Sequence, residues 1–110
     1  MTINALINEL KENNQDFEFY PTTDEMLAEA YKALESVCGY HKSVLDIGCG
    51  TCNFKRYIER KGGSVDYFGI EKSDILIGKL PYDVFVLGTD FNDTTLIDKK
   101  VDFIFCNPPY

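Results

Sequence analysis

From residue 43 onward the chain is built of short apolar runs that end in turns, with helical stretches between them. The sharpest run is Ser43-Val44-Leu45-Asp46-Ile47, which leads directly into Gly48-Cys49-Gly50. A short apolar segment stopped by glycines reads as a buried strand entering a tight turn. Asn53 to Lys61 then places Phe54, Tyr57 and Ile58 on one helical face, with Gly62-Gly63 as its stop. Asp66 to Glu71 is expected to form a second strand, Asp83 to Leu87 a third and Val101 to Cys106 a fourth. Ser73 to Lys79 reads as one or two helical turns, and Thr94 to Lys99 as another short turn. Strands alternating with helices imply parallel βαβ units. Strands that are apolar along their whole length fit a sheet covered on both faces.

The upstream third reads as helix. Ile3, Leu6, Ile7 and Leu10 recur at the spacing of one helical face, and Asn13-Asn14 end the pattern. Phe17 to Pro21 reads as extended, because Pro21 pushes Tyr20 away from helical angles. Thr22 and Glu25 have the spacing of a capping box. Met26, Leu27, Ala30, Leu34 and Val37 supply the next apolar stripe, closed by Gly39. The first helix is expected to cover the sheet. Two regions result: residues 1–16 as an amphipathic helix and linker, and residues 17–110 as one α/β unit.

Composition excludes some functions. The chain has 110 residues, 45% of them hydrophobic, with eight Phe and seven Tyr, enough for one small domain with a core. No apolar run approaches the roughly 18 residues of a membrane span. The N-terminus has neither a basic start nor a continuous apolar stretch, so it is no signal peptide, and a cytoplasmic location is the default expectation. The net charge is −7. Such a chain does not draw phosphate backbones through its overall field, so any nucleic-acid surface must be local or on another segment. The dense basic cluster Lys55, Arg56, Arg60 and Lys61 reads as a solvated helix face.

Cys49 and Cys52 have the C-x-x-C spacing of redox and zinc sites. A tetrahedral zinc site needs four ligands, and Cys38, His41 and Cys106 form no second close pair. No metal site is therefore expected. Cys38 and Cys106 read as buried small hydrophobes.

Glycines between a strand and a helix let the backbone take positive φ and approach a ligand closely. Glu71 ends the next strand, 25 residues beyond Asp46. In nucleotide-binding α/β folds an acidic residue at that place accepts the ribose hydroxyls, one on each carboxylate oxygen. With both elements present, Val44 to Thr51 resembles the first motif of class I S-adenosylmethionine-dependent methyltransferases. The resemblance implies a partial Rossmann-like parallel sheet of about four strands with flanking helices, and S-adenosyl-L-methionine as cofactor. It also implies a cofactor role for Asp46, Ile47, Gly48, Cys49 and Gly50, with Asp46 orienting the methionine part. Glu71, followed by Lys72, would hold the ribose. Asp90 would meet the adenine amino group, with Phe91 beside it. Cys52 stands where the family often has a third glycine.

The fourth strand leads into Asn107-Pro108-Pro109-Tyr110. An exocyclic or amide nitrogen has a delocalised lone pair and is a poor nucleophile. The Asn107 side-chain oxygen and the Pro108 carbonyl could each accept one of its N–H bonds and draw it toward tetrahedral geometry. Pro108 and Pro109 fix φ and hold those acceptors rigidly. Tyr110 offers a face for stacking on a flipped base. This ending resembles the catalytic motif of amino-methyltransferases acting on DNA adenine, ribosomal RNA guanine or release-factor glutamine. Phe19-Tyr20-Pro21-Thr22 resembles the segment that DNA adenine enzymes place against the cofactor, which tilts the expectation toward DNA adenine.

The resemblance covers residues 17 to 110 and implies that further strands belong beyond the fourth. That edge is expected to be open, with Val101, Phe103, Ile104 and Phe105 partly uncovered and able to pair with another chain. A DNA-contacting region would lie in a missing C-terminal part. Three readings follow: part of a DNA adenine methyltransferase, an amino-methyltransferase of RNA or protein, or a non-catalytic module that acts through its open sheet edge.

Overall fold

The computed structural model describes residues 2–14, 22–39, 41–89 and 101–106. They form a four-stranded sheet, all parallel, in the order β3-β2-β1-β4. The strands are β1 (Lys42–Ile47), β2 (Val65–Ile70), β3 (Val84–Gly88) and β4 (Phe103–Cys106). The helices are α1 (Ile3–Glu12), α2 (Asp24–Glu35), α3 (Asn53–Arg60) and the single turn α4 (Asp74–Ile77). This is the α/β, Rossmann-like architecture expected from the sequence. The turn expected at Thr94 to Lys99 and the extended segment at Phe17 to Pro21 lie outside the described residues. No described helix is long and apolar enough to cross a membrane.

Strand alternation sorts the core onto two faces. Val44, Tyr67 and Val84 face α2 and α3, where they bury with Leu27, Leu34, Phe54 and Ile58. Phe103 and Phe105 of β4 pack against that cluster, with the Phe105 ring stacked 4.6 Å from Phe54. On the other face Leu45, Phe68 and Ile70 form a second cluster. Toward the sheet margins this face is bare: Phe85 is 57% exposed and Ile104 56%. Among the described residues β4 is an edge strand, as expected, and β3 is the other.

Several expectations are corrected. The cap of α2 is Thr23, one residue later than expected, its hydroxyl accepting the Met26 N–H at 3.3 Å. That register puts Asp24 and Glu25 in the first turn, where their charges suit the helix dipole. It buries Leu27 and Leu34 and leaves Met26, one residue off that face, exposed. Helix α2 ends at Glu35, so Gly39 lies beyond it, at φ +126°.

Helix α1 does not seat its apolar face in either sheet cluster. Leu6 and Leu10 bury against Leu76 of α4, with Ile75 beside them. Each such leucine contributes about 2 kcal/mol of burial. Lys79 Nζ lies 3.5 Å from Glu9 Oε2 across the same contact.

Cys38 and Cys106 are exposed. Cys38 sits in the loop after α2, and Cys106 points from the edge strand toward the bare face, so neither meets a packing neighbour that would bury it. Lys55 is not a solvated residue of a basic face: it is only 5% exposed. Its ammonium hydrogen-bonds Glu59 one turn on, and Asp83 at 2.8 Å ahead of β3. Burial alone would lower its pKa, but the two carboxylates outweigh that and hold it above the ordinary lysine value.

Candidate functional site

Parallel strands bring their carboxyl ends to one side of the sheet, and the register shows how closely. Ile47 pairs with Ile70 on one side and with Cys106 on the other, and Ile70 pairs with Gly88. Successive connections run outward from β1 to β2 and β3, whereas β4 lies on the opposite side of β1. The boundary between β1 and β4 is thus a topological switch point, where open α/β sheets form their binding crevice. The glycine loop leaves β1 at this place.

The loop is strained in a way its sequence tolerates. Gly48 has φ +70° and Gly50 φ +56°. A Cβ on Gly48 would meet nothing within 4 Å, and the residue is exposed, so its backbone faces free space. Gly48 and Cys49 both donate their N–H to the Ile70 carbonyl, at 2.8 and 3.2 Å. The Cys52 N–H closes the turn onto the Cys49 carbonyl at 2.8 Å. Cys52 also takes left-handed angles, φ 59° and ψ 44°, at the N-cap of α3. A conformation that glycine adopts more readily is thus carried here by a cysteine, at some cost.

Glu71 is buried and ties this loop down. Its Oε1 accepts the Gly50 N–H at 2.7 Å and its Oε2 accepts the Ser73 N–H at 2.8 Å. Each carboxylate oxygen keeps a further lone pair. Lys72 is exposed next to it.

Asp46, the second-last residue of β1, is only 2% exposed and lies on the same face as Tyr67, whose hydroxyl donates to Asp46 Oδ2. Burial pushes the Asp46 carboxyl up to about 7. The Tyr67 hydrogen bond opposes that rise and the nearby Glu71 charge adds to it. Burial, and then the Asp46 charge, raise the Tyr67 phenol in turn. Cys49 packs over Gly69: a Cβ there would stand 2.9 Å from Cys49 Sγ. The Cys49 thiol is raised by its hydrogen bond with Cys52 and then by burial, so it stays protonated. Cys49 and Cys52 are free, buried thiols of the loop's packing.

The structure thus brings Asp46, Ile47, Gly48, Cys49, Gly50, Glu71 and Lys72 to one end of the sheet. Thr22 lines a groove of about 620 Å³ with Leu27, Asn53, Arg56 and Arg60 between α2 and α3, and Asn53 follows the glycine loop and accepts the Thr51 hydroxyl at 3.1 Å. Tyr20, Pro21, Asp90, Phe91, Asn107, Pro108, Pro109 and Tyr110 lie outside the described residues. Sequence reasoning missed Tyr67 and Ser73. Ser73 carries a legible signal, a serine directly before a helical turn, and its hydroxyl does accept the Leu76 N–H at 3.2 Å. Tyr67 carries none, because its partner depends on strand register.

No family model and no curated protein matches the sequence. Solved structures do match its fold. One is a protein assigned as a methyltransferase from an antibiotic biosynthesis pathway of Anabaena variabilis. It is 17% identical with a TM-score of 0.56, over 73% of this chain and 33% of that one. Another is a protein assigned as a methyltransferase from Haloferax volcanii, solved in complex with the methyltransferase activator Trm112. It is 20% identical with a TM-score of 0.57, over 94% of this chain and 45% of that one. The chain has the fold seen in these methyltransferase-type structures and spans less than half the length of either.

Proposed function

We propose that this chain carries the S-adenosylmethionine-binding half of a methyltransferase, residues 17–110, and that its target is an exocyclic amino group, adenine in DNA before other substrates. The observation that carries the reading is the convergence at the β1/β4 switch point. There the glycine loop lies braced by Glu71, and Cys106, which directly precedes Asn107, pairs with Ile47. The fold shared with two methyltransferase-type structures supports it.

The residues fit the cofactor. Glu71 has acceptor capacity left on both oxygens for the two ribose hydroxyls. Gly48 presents exposed backbone with free space where a side chain would stand. Asp46, held by Tyr67, lies at the loop's root and would orient the methionine part through water. S-adenosylmethionine, when bound, supplies an electrophilic methyl group on a positively charged sulfonium. The chain's task is then to hold and activate the acceptor nitrogen. Asn107 and the Pro108 carbonyl would accept its N–H bonds, Pro109 would keep them rigid, and Tyr110 would stack on the base. Asp90 and Phe91 would meet the adenine of the cofactor.

Partners belong to the same proposal. The Haloferax volcanii structure contains an activator protein. The bare Ile104 and the β4 edge support completion of this sheet by further strands or a partner chain. DNA contacts would come from that completing part, since this chain is acidic.

The test is calorimetric titration with S-adenosylhomocysteine, alongside Asp46→Ala and Glu71→Ala. Micromolar binding that each substitution weakens about tenfold, some 1.4 kcal/mol, supports the site. A folded chain that binds nothing rejects it. Methyl transfer to DNA, ribosomal RNA or a glutamine peptide, assayed with the completed sheet, then separates the substrates.

A further inference from the structure

The Glu71 carboxylate is held from two directions. Gly50 donates to one oxygen at 2.7 Å, and Ser73 donates to the other at 2.8 Å. Ser73 is completely buried and caps α4, its hydroxyl accepting the Leu76 N–H. Leu76 is 2% exposed, and its buried partners in that cluster are Leu6 and Leu10 of α1. A single helical turn has little stability of its own, because nucleation is costly and its few hydrogen bonds do not offset it. The geometry of α4, and hence of Ser73, therefore depends on what packs over Leu76. Lys79, just past α4, adds a charge contact to Glu9, whose buried Oε2 has no hydrogen bond.

We propose that α1 is a positioning element for the cofactor site. By docking Leu6 and Leu10 on Leu76 it holds α4, and through the Ser73 N–H it holds the Glu71 carboxylate in the orientation that meets a ribose diol. Leu6, Leu10 and Leu76 are positioning residues that act through Ser73 and Glu71. The inference rests on reading Glu71 as a cofactor contact. Its mechanical part, that α1 orders Ser73 and Glu71, rests on the contacts alone.

The full chain is compared with Leu10→Ala, the milder Leu10→Val, the conservative Leu10→Met, and Leu34→Ala as a control in the cluster between the sheet and helices α2 and α3. Two quantities are read: S-adenosylhomocysteine affinity, and amide hydrogen exchange at Ser73 and Gly50 relative to Leu45 and Phe68 in the sheet. Leu10→Ala is expected to weaken binding about fivefold and to speed Ser73 and Gly50 exchange selectively. Leu10→Val should give a smaller change of the same kind, and Leu10→Met should restore both readouts, since it conserves volume. Leu34→Ala should lower the melting temperature without the selective exchange. Folded Leu10→Ala or Leu10→Val with wild-type affinity and wild-type Ser73 exchange overturns the proposal. If the wild-type chain binds no S-adenosylhomocysteine, the cofactor reading falls, and the exchange comparison still decides whether α1 orders Ser73.

Discussion

The backbone N–H of Gly50 and the Oε1 of Glu71, 21 residues apart in sequence, meet at 2.7 Å in a buried hydrogen bond. This contact joins the turn after β1 to the end of β2. It makes Glu71 a brace for the glycine loop, and the ribose contact proposed for Glu71 would use the lone pairs left on the same oxygens.

Replacing Glu71 by Gln puts an N–H2 group where one of two backbone donors must be accepted. We expect Glu71→Gln to cost about 1–3 kcal/mol of stability, as for a buried donor left unpaired. S-adenosylhomocysteine affinity should fall about tenfold or more. Thermal melting and calorimetry on the same sample measure both. A variant as stable as the wild type would mean that Gly50 and Ser73 do not need this carboxylate.

Asp46 predicts a pH dependence. Its folded pKa of about 7 lies above the ordinary 3.8. Between those values the native state holds more protons than the unfolded chain, so this group's contribution to stability falls as pH rises through the window and levels off above it. The full loss is up to about 4 kcal/mol. Asp46→Asn cannot ionise and still accepts the Tyr67 hydroxyl. It should match the wild type near pH 4 and exceed it in melting temperature at pH 8. An equal difference at both pH values would refute the assignment.

Gly69 lets Cys49 lie against β2. Gly69→Ala would bring a methyl group 2.9 Å from Cys49 Sγ and 3.4 Å from a Val84 methyl. The loop must move, at a cost of about 1–3 kcal/mol. The S-adenosylhomocysteine affinity of the proposed site should drop with it, because the moved loop carries that site. The double variant Gly69→Ala/Cys49→Ala should recover much of both losses.

The four thiols should divide by accessibility. A thiol reagent added to folded protein should label Cys38 and Cys106 quickly, and Cys49 and Cys52 only as fast as the loop opens. Mass spectrometry of the labelled peptides reads the order. Rapid labelling of Cys49 would revive a redox role for the C-x-x-C pair.

Local pattern was enough for the strand–loop–helix unit at Val44 to Ile58, for the two following strands and for Glu71 at the end of one of them. Apolar runs, glycine stops and helical spacing are properties of neighbouring residues, and parallel βαβ handedness leaves few ways to arrange them. What lies across the sheet or between layers was not legible. Lys55 was expected to be solvated because its neighbours Arg56 and Arg60 are charged, yet it bends onto Asp83, 28 residues away. Cys38 and Cys106 were expected to be buried for their chemistry, yet they stand where no layer covers them. The partner of α1 was expected to be the sheet, but an apolar stripe records only that a helix must bury one face. Tyr67 on Asp46 and Ser73 on Glu71 likewise follow from register and from the placing of α4. The sequence by itself determined which residues form strands, where the glycine loop sits and which acids flank it. Only the tertiary structure decided which buried groups pair, because pairing depends on distances between segments that sequence spacing does not encode.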